Sequence, residues 1–323
     1  FKQRFGLDLA FYNNITRNQI LDVPMDQTTG YTKATMNSGK VRNRGIELQL
    51  DGTPVKTKNF TWNSTFTWAK NYNKVLSLAA GLTDGQTIAY TGGTNCALIA
   101  KVGGSIGDIY GYKLKRAPDG QVVWKDGITA RTTEFEYVGN AYPAWKAGFS
   151  NEFSYKNFRV SILFDGQWGG IVYSQTHHKM TEHGTLKHTL KYRENPNFEV
   201  VGEGVMLDER GQYVPNNVPI SVSKYYADYW RRANVETNSF DASFLKLREA
   251  RIEYTIPSAG LNKIGIERLT LALYGRNLAM WTKDFPVYDP EVATLNNGTI
   301  VPGSEMGQLP STRTMGFNLT LKF

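Results

Sequence analysis

Over the nine residues from Met315 to Phe323, every second side chain is apolar. Met315, Phe317, Leu319, Leu321 and Phe323 alternate with Gly316, Asn318, Thr320 and Lys322. Successive side chains of a β-strand point to opposite faces, so this stretch predicts a strand with one apolar and one polar face. The same period is strongest further upstream, where Phe60, Trp62, Phe66 and Trp68 stand against Thr61, Asn63, Thr65, Thr67 and Asn71. Four large aromatics on one face need a broad apolar environment, and the opposite face suits water. A strand of a soluble sandwich also alternates. A closing strand that ends on an aromatic fits an outer-membrane barrel better, because its apolar face meets lipid and its end sits in an aromatic girdle.

Composition agrees with that reading and removes others. Aromatic residues make up 13% of the 323 residues and there are 31 glycines, as in β-rich chains with aromatic belts. No run of about 18 apolar residues is present, so no transmembrane helix is expected. The mean hydropathy of −0.41 does not argue against a membrane, since barrel strands turn only every second residue to lipid. The net charge of +8 is scattered along strands and loops, not gathered in one run, so nucleic acid is not an expected partner. Rim lysines meeting lipid phosphates are an alternative use for it. The single Cys96 excludes an internal disulfide framework. There is no Ser/His/Asp order, Gly-rich phosphate loop or Cys pair, so neither catalysis nor a cofactor is expected.

Taken in order, strands are predicted over 2–13, 41–52 and from Phe60 to Asn71. A hairpin follows over 106–116 and 121–125, turning at Ala117-Pro118-Asp119-Gly120. Two more strands flank a tight turn at Tyr155-Lys156-Asn157. Another runs from Phe240 to Ile256. Its apolar phase switches from odd (Leu245, Leu247) to even (Ile252, Tyr254, Ile256), which predicts a bulge at 248–250. Strands through Leu269, Leu271 and Leu273 and through the last nine residues complete about ten. Tyr225, Tyr226, Tyr229 and Trp230 fall at near-helical spacing and predict a short helix over 221–232. Short turns at 53–59, 117–120, 155–157 and 257–265 alternate with long loops at 14–40, 77–104, 126–143, 174–238 and 281–310. That puts every long loop at one end, which suits a barrel with long extracellular loops and short periplasmic turns. The alternation already under way at Phe5, Leu7, Leu9 and Phe11 leads us to expect the C-terminal part of a longer protein.

Several motifs resemble those of one family. Asp241-Ala-Ser-Phe-Leu-Lys-Leu-Arg-Glu249, Gly275-Arg-Asn-Leu278, Asp289-Pro-Glu291 and Pro310-Ser-Thr-Arg313 resemble strand and loop signatures of the SusC/RagA-type TonB-dependent transporters of Bacteroidetes. Asn43-Arg-Gly-Ile-Glu47 and Tyr155-Lys-Asn-Phe158 are similar to earlier strands of that family. The resemblance implies an all-β, membrane-spanning, antiparallel up-and-down barrel of 22 strands in the outer membrane of a Gram-negative bacterium. It also implies a plug domain and a TonB-binding segment in an N-terminal region, a SusD-like surface lipoprotein as lid, and import of a glycan or oligopeptide. The terminal strand looks like the segment read by the outer-membrane assembly machinery.

The candidate ligand or lid contacts are Tyr225, Tyr226, Tyr229, Trp230, Trp281, Tyr288, Asp289 and Glu291. Aromatics there suit sugar stacking, lid contact or simple loop packing. Asp289-Pro290-Glu291 is equally a turn former. His177, His178, His183 and His188 match no closed metal site, so a solvated loop is expected. Two rival readings stay open: a passive porin-like channel, and a secreted β-rich glycan-binding protein or adhesin.

Overall fold

The computed structural model describes residues 4–323 apart from 19, 26, 32, 38, 79–84, 92, 258–260, 262–264, 292–293 and 297–298. The expected start of the first strand at Lys2 and much of the turn at 257–265 lie outside the described residues. Eight strands form one antiparallel sheet: β1 (Phe5–Arg17), β2 (Lys40–Lys56), β3 (Phe60–Ser77), β4 (Trp145–Tyr155), β5 (Phe158–Trp168), β6 (Phe244–Ile256), β7 (Arg268–Thr282) and β8 (Thr314–Lys322). Each pairs with the next in chain order, an up-and-down meander. Connections of residues 57–59, 156–157 and 257–267 close one end. Those of residues 18–39, 78–144, 169–243 and 283–313 stand at the other. No helix among the described residues is long and apolar enough to cross a membrane, which says nothing of strands.

The register carries the alternation through the whole sheet. Leu9, Leu48, Trp68, Ala147, Gly166, Leu245 and Trp281 form one row. The next row, Asp8, Gln49, Thr67, Gly148, Asp165, Lys246 and Met280, falls on the other face. Phe60, Trp62, Phe66 and Trp68 share the first, apolar face, as do Met315, Phe317, Leu319 and Leu321 of β8. This face lies open: Phe11 is 70% exposed and Phe317 79%. Water would make so broad an apolar surface an aggregation hazard, whereas a lipid environment would suit it. Aromatics gather at both of its ends. Phe60, Tyr155, Phe158 and Tyr254 form a row beside the short turns, and Trp145 and Trp168 stack at 6.4 Å beside the long connections. Within the aromatic and aliphatic part of this face Asn151 is a nearly buried polar residue beside Ser64, and its Oδ1 accepts the Trp62 indole N–H at 2.9 Å.

Eight strands stand where about ten were expected, because the hairpin over 106–125 is not part of this sheet. Asp108–Gly111 pairs with Cys96–Ala100 and Glu136–Asn140, and Val123–Lys125 pairs with Ile128–Thr129 and Val205–Leu207. The turn at 117–120 does form, the Ala117 amide donating to the Gln121 carbonyl at 2.9 Å. These strands are short, and Cys96–Ala100, Asp108–Gly111 and the Val123–Trp124 pair are largely buried on both faces, so they pack inside the loop mass and not as a two-faced wall. Their loss merges two loops into one, and the alternation of short and long connections survives.

The long connections are folded. One apolar cluster gathers Leu114, Val122, Trp124, Val200, Ile220 and Tyr226, and another Cys96, Leu98, Ile109, Tyr173, Val235 and Val301. Helix α1 (Gln175–Glu182) is capped by Ser174, whose Oγ accepts the His177 amide, and α2 (Val222–Tyr229) by Ser221, whose Oγ accepts the Lys224 amide. Here the expectation of a solvated loop needs correcting for His177 and His178, while His183 is exposed. Helix α1 turns His177 and His178 inward, and both are buried. His177 Nδ1 meets Asn238 Oδ1 at 2.9 Å and His178 Nδ1 the Trp230 carbonyl at 2.7 Å. Burial holds the His177 imidazole neutral, pulled down to about 4 against a weaker opposing bond from Asn238. No group of His, Cys, Asp or Glu among the described residues is arranged to hold a metal.

Candidate functional site

The polar face of the sheet carries the candidate site. Its rows place Asn43, Asn71 and Asn73 near the long-connection end, and Thr61, Ser154, Arg159 and Glu253 near the short turns. Between them a cavity of about 480 Å³ is lined by Asp8, Glu47, Gln49, Lys146, Gln167 and Glu291. Polar side chains of both charges lining an open groove suit passage of a hydrated solute.

The bulge expected at 248–250 is present and explains the site's strongest feature. Pairing with both β5 and β7 skips from Leu247 to Glu249, leaving Arg248 out of both ladders. A bulge re-aims the extra residue. The Arg248 guanidinium reaches Asp165 with Nε at 2.6 Å and Nη2 at 2.8 Å, and the same Nη2 reaches Glu291 Oε2 at 2.9 Å. Two residues earlier, the Lys246 ammonium donates to both oxygens of Asp289 at 2.7 and 2.8 Å, and also to Glu291. Lys246 and Asp289 are both about 3% exposed. Burial pushes the Asp289 carboxyl up, but bonds from Lys246, Ser311 and the Glu291 amide outweigh it and hold the group below the usual carboxylate range. The connection 283–313 is thus fastened to the polar wall by two cations of one strand.

A second fastening lies in the loop mass. Glu305 is fully buried. Its carboxylate accepts Ser174 Oγ–H and Thr176 Oγ1–H at 2.5 Å each, the Tyr288 hydroxyl at 2.5 Å and the Gly307 amide at 2.5 Å. Burial alone would raise it, and the hydrogen bonds win, so it is held low. Tyr288, in turn, is pushed up to about 12 by burial and by Glu305.

The structure separates the eight candidate contacts into five environments. Tyr225, Tyr226, Tyr229 and Trp230 pack together around Trp124, which stacks on Tyr225 at 6.0 Å and on Tyr229 at 6.1 Å. Tyr226 is buried, its hydroxyl donating to the carbonyls of His188 and Lys191 at 2.9 Å each. Tyr225 and Trp230 also line a smaller cavity of about 310 Å³ beside His177 and Lys191. Trp281 is in β7 opposite Leu245, on the apolar face and not at the mouth. Tyr288 serves Glu305, and Asp289 serves Lys246. Glu291 alone of the eight reaches the groove of the polar face. Sequence reasoning missed Lys246, Arg248 and Asp165. The phase switch at 248 was the available signal, since a bulged arginine must find partners off its own ladder.

No family model matches the chain. It is 29% identical to the TonB-dependent receptor P26 of Formosa agariphila, over 100% of this chain and 33% of the relative. It is 26% identical to the TonB-dependent receptor SusC of Bacteroides thetaiotaomicron, over 52% of this chain and 18% of that receptor. A solved structure of the RagAB peptide importer in its closed-closed state superposes with a TM-score of 0.69 at 21% identity, covering 100% of this chain and 34% of that one. The chain spans about a third of the length of the relatives that match it throughout. It is therefore related over its whole length to TonB-dependent receptors, and its sheet shares the fold of the RagAB chain. The relatives are receptors and transporters, not enzymes, and they support an outer-membrane location.

Proposed function

We propose that this chain is part of the wall and the loop mass of a TonB-energised importer in the outer membrane of a Gram-negative bacterium. In this reading residues 1–323 are C-terminal strands of a barrel of about 22, the size the family resemblance implies, with a plug and a TonB-binding segment elsewhere in the protein. A SusD-like surface lipoprotein covers the long-loop end, and the cargo is an oligomeric nutrient, a glycan or an oligopeptide. The observation that carries the reading is the two-faced sheet, with an unbroken apolar row of Leu9, Leu48, Trp68 and Leu245 backed by a charged groove. The relationship to the TonB-dependent receptors of Formosa and Bacteroides supports the energised mode over a passive one. Within it, the Lys246–Asp289 and Arg248–Asp165–Glu291 pairs fix one loop against the wall, and Tyr225 and Trp230 remain candidates for ligand or lid contact at the smaller cavity.

The test is uptake of labelled oligosaccharides and oligopeptides by cells carrying the full receptor, with and without TonB. The reading expects saturable uptake that stops when TonB is depleted, and a lipoprotein that co-purifies. Uptake that continues without TonB would replace it with a passive channel. A receptor extracted without detergent would remove the barrel altogether.

A further inference from the structure

The apolar face of β1–β3 changes character abruptly toward the long connections. Along β3 the outward positions run Phe66, Trp68, Lys70, Tyr72, Lys74. Along β2 they run Leu50, Leu48, Ile46, Arg44, Arg42, Lys40, and along β1 Leu7, Leu9, Phe11, Asn13, Ile15, Arg17. The register sets Arg44 opposite Tyr72 and Arg42 opposite Lys74. Six cations thus stand on one side of three adjacent strands, and no outward position among them holds a carboxylate. Among the described residues none of the six makes an ion pair, and the Nε of Arg42 is buried without a partner. Lys70 Nζ and Arg44 Cζ lie 4.9 and 5.8 Å from the centre of the Tyr72 ring, which the quadrupole of the ring favours.

The height of this patch identifies what it faces. A strand rises about 3.3 Å per residue and leans about 40° in a barrel, so the ten steps from Phe60 to Lys70 climb about 25 Å. That is about the thickness of the apolar band of an outer-membrane barrel, about 25 Å. Phe60 lies in the aromatic row at the short-turn end, so Lys70 falls where hydrocarbon gives way to headgroups. An unpaired cation on a lipid-facing side is costly below that level and favoured at it, where anionic headgroups lie.

From this we infer that Arg17, Lys40, Arg42, Arg44, Lys70 and Lys74 form a binding site for a phosphorylated lipid headgroup of the leaflet on the long-loop side. Arginine forks hold phosphate oxygens in pairs, lysines add point charge, and Tyr72 keeps the site at the interface. A partner protein's acidic surface is the less suitable occupant, because the same strands continue directly into the lipid-facing rows Ile46 and Trp68. The inference rests on the barrel reading above.

The experiment uses the full receptor purified in a neutral detergent. Diphosphorylated lipid A and its dephosphorylated form are offered as probes, and bound lipid is read by native mass spectrometry. Retention of the phosphorylated form at least tenfold above the dephosphorylated one is expected, and inorganic phosphate at matched concentration should not displace it. The triple variant Arg42→Gln, Arg44→Gln, Lys70→Gln should lose at least tenfold, whereas Lys224→Gln, an exposed lysine of α2, should not. Heat-modifiable gel mobility reports whether each protein is a folded barrel. If the triple variant does not fold, the comparison of the two probes on the unaltered receptor decides alone. Equal retention of both probes, unchanged retention by a folded triple variant, or an acidic protein held there in place of lipid would overturn the inference while leaving the barrel standing. Loss of heat modifiability in the unaltered receptor would instead overturn the barrel reading and, with it, the inference that rests on it.

Discussion

Replacing Lys246 with Met isolates the energetics of the fastening between wall and loop. The ammonium holds both oxygens of Asp289, and the two side chains are about 3% exposed. Removing one member of a buried ion pair costs about 3–5 kcal/mol, since the other charge is left without compensation. Asp289 keeps its bonds from Ser311 and the Glu291 amide, and Glu291 is 43% exposed and can turn to water and Arg248. The low end, about 3 kcal/mol, is therefore expected. The double variant Lys246→Met, Asp289→Asn removes both charges and should recover most of that loss. Equilibrium unfolding of the full receptor in detergent and urea, followed by tryptophan fluorescence, measures both. Limited proteolysis across 283–313 should show faster cutting in the single variant only. A loss below about 1 kcal/mol, or a double variant no better than the single, would refute the claim that this pair fixes the loop.

Two further perturbations probe the wall and the loop mass. Phe66→Arg, on the apolar face, should cost about 2–4 kcal/mol of barrel stability, and Thr65→Arg on the polar face far less; equal losses by the same urea titration would mean the faces are misassigned. Glu305 is held below its ordinary value of 4.5, so its stabilising effect is complete above that value and is lost as pH falls through the lower value of the folded state. Hydrogen-exchange protection of the segment around residues 303–308, taken relative to the intrinsic rate at each pH, should be flat from neutral pH to about 5 and fall only under stronger acid. Glu305→Gln should loosen the same segment at neutral pH and remove its acid step, because the new amide turns donors toward Ser174 and Thr176. An unchanged acid step in that variant would assign it elsewhere.

Much of the wall is legible in the sequence because its rule is local. Period-two alternation in β3, β4, β5 and β8 needs no knowledge of partners, and the shift from Leu247 to Ile252 announces the bulge. The α2 helix is readable from ring spacing behind a serine cap. What escapes is set by long-range pairing. Lys246 and Asp289 lie 43 positions apart, and nothing in either neighbourhood names the other. Strands such as Cys96–Ala100, buried on both faces, carry no alternation to detect. His177 and His178 look solvated in a polar run, and become buried only when α1 packs against the segment holding Trp230 and Asn238. The cationic ladder was within reach, since extending the even positions of β3 past Trp68 gives Lys70, Tyr72 and Lys74.

The central claim is that one face of the sheet meets lipid and the other water. Single cysteines placed in turn from Phe60 to Lys74, in a receptor with Cys96 replaced by Ser, test it directly. Each is labelled with a fluorophore and exposed to a nitroxide lipid and to a water-soluble quencher. Positions 60, 62, 66 and 68 should be quenched by the lipid, positions 61, 63, 65, 67 and 71 by the aqueous agent, and accessibility should shift at position 70. Quenching without a period of two, or with the phases exchanged, would contradict the claim.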